Sequence, residues 1–105
     1  MRVRALDVQA ARIDGLPIAM QACTLAMRTE ADGSLAWEAS GWMRGPEPAL
    51  AARSETGGTL SVELETDDGT VTGSAFVALS RALGSDTSDA RVSLVGVGRL
   101  DPWLG

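Results

Sequence analysis

Carboxylates form the densest group of reactive side chains in this chain. Glu63, Glu65, Asp67 and Asp68 fall within six residues. Glu63 and Glu65 lie two apart in an alternating segment, which places them on one strand face about 7 Å from each other. Such a pair could serve as general acid and base, or as hard oxygen ligands for calcium. The surrounding residues favour a simpler reading. Leu60, Val62 and Leu64 alternate with Ser61, Glu63 and Glu65, as expected for a strand with one wet face running into a turn. A second acidic stretch, Gly84-Ser85-Asp86-Thr87-Ser88-Asp89, lacks the framework of about six to eight oxygen ligands that calcium takes.

Other routes to catalysis are poorly supplied. The chain has no histidine, so the commonest general base near neutral pH is missing, as is the usual partner of a Ser or Cys nucleophile. Cys23, the single cysteine, falls in a strand on the apolar side and reads as a small buried hydrophobe rather than a reactive thiol. Gly96-Val97-Gly98 closes a strand instead of opening a helix, and no lysine follows it, so it is not a phosphate loop. The expectation is a protein with no catalytic residues, no cofactor and no metal.

The elements that position these residues are strands. Three Asp-Gly pairs, Asp14-Gly15, Asp32-Gly33 and Asp68-Gly69, mark tight hairpins, which need residues that tolerate positive φ. Around them the alternation predicts strands over Val3 to Ile13, with Leu6, Val8 and Ala10 inward, and over Pro17 to Thr29. In the second, Ile18, Met20, Cys23, Leu25 and Met27 share a face once a bulge near Gln21-Ala22 absorbs a parity slip. Leu35 to Met43 is the third, with Trp37, Ala39, Gly41 and Met43 on one side and Trp42 on the other. Gly45-Pro46-Glu47-Pro48 breaks the sheet, and Ala49 to Arg53 favours a short helix near residues 47–54. Leu60 to Thr66, Val71 to Leu79 and Val92 to Gly98 complete the strands, the last flanked by glycines that permit close approach. The fold class is mainly β: an antiparallel β-sandwich or partly open barrel of about six strands with one short helix.

Composition agrees with one compact domain over residues 1–105 that ends in a short apolar tail at 101–105. The chain has 105 residues, 45% of them hydrophobic, the usual size for a single core. The longest apolar runs, such as Ala75 to Leu79, are far too short to span a bilayer. Met1-Arg2-Val3-Arg4 leads into alternation rather than a signal peptide. Nine basic and fourteen acidic residues give a net charge of −5, which argues against a nucleic-acid partner, since that affinity comes from cations displacing counterions. One cysteine allows no intrachain disulfide, and a reducing cytoplasm fits. All basic residues are Arg, and Lys, Tyr and Asn are absent, which reads as the coding bias of a GC-rich bacterial or viral genome.

What remains is contact with other proteins. Trp42 falls off the apolar phase of its strand, and Trp103 and Leu104 lie in the tail after Pro102. The last strand carries Val95 and Val97 opposite Val92 and Leu94, so it is apolar on both faces and needs two covering layers. Trp42, Val95, Val97, Trp103 and Leu104 are the candidate interaction residues, and a second copy of the chain is the expected partner, ahead of another protein. A small-ligand or carbohydrate-binding module is the alternative, with Trp42 and the carboxylates lining a concave face. An accessory domain of an enzyme, working through Glu63 and Glu65, is the second alternative.

From Trp37 to Asp101 the order of elements resembles that of the tail tube proteins of long-tailed bacteriophages and related injection systems. The segments that carry it are Leu35-Ala36-Trp37, Pro48 to Arg53, Leu60 to Thr66, Asp68-Gly69-Thr70-Val71, Ala75 to Ser80, and Ala90 to Leu100. The resemblance implies a β-sandwich with a flanking helix, assembly into stacked hexameric rings, a structural role without catalytic residues, and a place in the virion rather than the cytoplasm.

Overall fold

The computed structural model of the chain describes residues 2–43, 57–81 and 90–104. The helix expected near residues 47–54 and the acidic stretch at 84–89 lie outside the described residues. Every regular element among the described residues is a strand: β1 (Arg2–Ile13), β2 (Leu16–Ile18), β3 (Met20–Thr29), β4 (Leu35–Met43), β5 (Leu60–Thr66), β6 (Gly69–Arg81) and β7 (Ala90–Asp101). All pairings are antiparallel, in the order β2-β1-β3-β4-β7-β6-β5, and β5 returns to pair with β1. The sheet therefore closes on itself. The architecture is a six-stranded barrel with β2 as an additional strand, and this replaces the expected sandwich or partly open barrel.

The turns form as their residues dictate. Asp14 and Gly15 both take positive φ (52° and 79°) between the paired Ile13 and Leu16. This is the two-residue hairpin whose backbone twist matches that of the flanking strands. At Asp32-Gly33 the Gly33 N–H donates to the Glu30 carbonyl, and the Asp32 carboxylate accepts from both the N–H and the hydroxyl of Ser34. Those bonds to Ser34, the hydroxyl first, hold the Asp32 carboxyl below its ordinary range. At the third turn Asp67 and Asp68 make the corner and Gly69 follows with positive φ. The Thr66 hydroxyl donates to the Gly69 carbonyl and accepts from the Asp68 N–H.

Three register shifts interrupt the ladders among the described residues, one of them between Thr72 and Ser74 in the β6–β7 pair, and two bear on the inward pattern read from the sequence. The β3–β4 register shifts between Gln21 and Thr24, with Ala22 at positive φ, where the parity slip of the sequence requires a bulge. A second shift, between Val8 and Ala10 in the β1–β5 pair, corrects the reading of β1. Gln9 takes the extra position, and Val8, Ala11 and Ile13 are buried while Ala10 is not.

Six strands leave a bore that side chains alone can fill. Ile13, Leu25, Met27, Met43, Leu64, Val71, Val92, Leu94 and Leu100 fill it, each less than 2% exposed. Trp37 is the largest inward group, and it fits because β7 presents Gly96 to it. A Cβ at Gly96 would lie 2.3 Å from the indole. Beyond β7 the tail turns out of the sheet at the cis Asp101–Pro102 peptide, and Trp103 and Leu104 pack against the core. Arg4 holds this closure together, donating to the Leu104 carbonyl and pairing with Asp68 in the β5–β6 turn.

Gly96→Ala should destabilise the fold by about 1–3 kcal/mol, the usual cost of overpacking a filled core. Gly58→Ala, where nothing lies within 4 Å of the new carbon, should change stability by less than about 0.5 kcal/mol. Urea unfolding midpoints of the two variants check the contrast.

Candidate interaction surface

The carboxylate pair of the sequence lies on the outside of the barrel. Glu63 and Glu65 are exposed; Glu63 faces Arg12 across the β1–β5 ladder and Glu65 faces Ala10. These residues border an open groove of ≈ 550 Å³ with Pro17 and Ala19 on its other side. A second groove, ≈ 590 Å³, runs from Arg12 and Glu63 past Thr72 to Val97 and Arg99. Neither contains an aromatic side chain. Among the described residues, no three Asp, Glu or Cys side chains gather as a metal site would require. No helix among them is long and apolar enough to cross a membrane.

Cys23 is buried and free, paired in register with Val8 of β1. Burial pushes its thiol up to about 11, because the charged thiolate would lose its hydration there.

The interaction residues separate into two sets. Trp103 and Leu104 are half-buried against their own barrel. Trp42, Val95 and Val97 remain 41%, 54% and 45% exposed. They lie on the outer face of β4, β7 and β6, where the ladder brings in a residue the alternation left unassigned: Phe76, 49% exposed, directly opposite Val95. The registers fix successive outward rows. Trp42, Arg91 and Ser80 form one; Ser40, Ser93 and Ala78 the next; then Glu38, Val95 and Phe76; and finally Val97 with Ser74. Small residues separate the large ones, so the face is broad and low. Its only charged groups across Ala36–Trp42, Ser74–Ser80 and Arg91–Val97 are Glu38 and Arg91. They stand two rows apart at opposite ends of a depression lined by Thr24, Ala26, Ser40 and Ser93.

No protein-family model, no curated protein and no solved structure matches this chain.

The thiol geometry gives a direct test. The unfolded thiol ionises near its ordinary 9.0 and the folded one near 11. The folded state is thus favoured in full below pH 9, and that contribution is lost as pH rises through 11. Iodoacetamide at pH 8 should modify native Cys23 on the order of a hundredfold more slowly than the urea-unfolded chain, read by intact mass.

Proposed function

We propose that this protein is a noncatalytic β-barrel domain that works by protein–protein contact, chiefly with copies of itself. The observation that carries the reading is the apolar face of Trp42, Phe76, Val95 and Val97. Exposed apolar groups scattered singly need no explanation, but Phe76, Val95 and Val97 adjoin on one sheet face, with Trp42 two rows away across small residues, and such a cluster marks a contact site. Each of these side chains is about half exposed, so covering one would contribute roughly 1 kcal/mol. The grouped set can therefore drive association where one residue could not. The chemistry on the remaining surface is thin by comparison: Glu63 and Glu65 stand in solvent across from Arg12 and Ala10, and the grooves beside them offer no aromatic platform for a sugar.

A structural part in a larger assembly is the wider form of the same reading, and stacked rings of the tail tube kind would need contacts beyond a single two-fold one. Its support is the order of strands and turns together with the outward apolar face.

Light scattering at micromolar concentration should give a mass above the 10.9 kDa of one chain. Phe76→Ser combined with Val95→Ser should return it to a monomer with an unchanged circular-dichroism spectrum. A wild-type protein that stays monomeric under the same conditions would overturn the reading.

A further inference from the structure

The outer face of β4–β7–β6 is self-complementary in a specific way. The two charged residues on its central rows, Glu38 and Arg91, carry opposite signs, and among the described residues neither forms an ion pair; Arg99 and Asp101 lie further along β7, beyond Val97. Glu38 lies in the row of Val95 and Phe76, and Arg91 in the row of Trp42. Between those rows run Ser40, Ser93 and Ala78, the row made up wholly of small side chains and hence the place where two sheets could come closest.

Stacking a second copy on this face admits a two-fold axis in the plane of contact in two simple directions. An axis along the strands keeps each row opposite itself, and the two Arg91 side chains then meet head to head, which like charges disfavour. An axis across the strands, through the row of Ser40 and Ser93, exchanges the rows on either side. Trp42 and Arg91 of one copy then lie over Glu38 and Val95 of the other, with the reciprocal contact guaranteed by symmetry. Arg91 comes within about one strand spacing, roughly 4.8 Å laterally, of the partner's Glu38, well inside the reach of both side chains. The same superposition seats each indole beside a valine.

Resting on the self-association reading above, we propose that the partner is a second copy bound face to face through β4, β7 and β6, in a two-fold dimer closed by two reciprocal Glu38–Arg91 ion pairs. Such a contact uses the same patch on both chains and is complete at two, so it does not propagate into a ring or filament.

Sedimentation equilibrium over a range of concentrations, on the wild type and on Glu38→Arg, Arg91→Glu and the double exchange, tests this. The wild type should fit a monomer–dimer equilibrium. Each single variant, which sets like charges against each other at both pairs, should weaken the dimer by about tenfold or more. The double exchange should restore it to within about threefold of the wild type, a recovery that simple loss of folding could not produce. Thermal melts monitored by circular dichroism should match across all four proteins. A dimer indifferent to the single changes, a double variant no better than the singles, or an oligomer larger than two would overturn the proposed geometry while leaving self-association standing. A monomeric wild type would remove both.

Discussion

Strand β1 is bonded along its first half to β3 and along its second half to β5 on one edge and β2 on the other. Everything else about the molecule follows from that return of β5 to β1. Closure removes the two long open edges that a sheet of this length would otherwise carry. It also fixes a narrow bore, and the bore decides which side chains the interior can hold. The indole of Trp37 exceeds the space beside an ordinary strand, and β7 meets it with Gly96 instead of a side chain. Trp103 and Leu104 pack against the core, and the tail is clipped by Arg4 of β1. Thus the strand that closes the barrel also anchors the tail.

Local chemistry made the strands and turns readable. Leu35 to Met43 alternates without interruption, and β4 has those limits. Asp-Gly pairs mark the three tight turns among the described residues because only a few residues accept positive φ without strain. The bulge of β3 was legible because Met20 and Cys23 must share a face yet are three apart. The bulge at Gln9 was not, since Ala10 and Ala11 suit either face and hide the slip. Phe76 was illegible for a related reason. It sits in Ala75-Phe76-Val77-Ala78-Leu79, where alternation is lost among apolar residues, and only the β6–β7 register turns it outward.

Closure itself leaves no local trace. The β1–β5 pairing joins residues some fifty positions apart, and nothing in either strand announces its partner. The sequence argued for association from a last strand apolar on both faces. The barrel sharpens that argument. The inner side of β7 is sealed by the chain's own core, whereas Val95 and Val97 on its outer side are not.

The outside of the barrel is consequently two surfaces. β5, with exposed Glu63 and Glu65 and the Asp67-Asp68 corner, lies opposite β4, three strands away by either route round the barrel, and beside β6 at the margin of the apolar face. A chain of net charge −5 repels its copies, but the repulsion acts from where the acids are. The molecule is 23 Å across its shortest axis, and salt at physiological strength screens exposed charges beyond about 8 Å. The acids of β5 are thus screened from the β4 side of the apolar face, while Glu38 and Arg91 are the charged groups on its central rows. Charge is therefore sparse on β4 and the central part of β7 and denser on β5 and its turn, a separation that the alternating outward positions of a closed sheet make available to a chain this short.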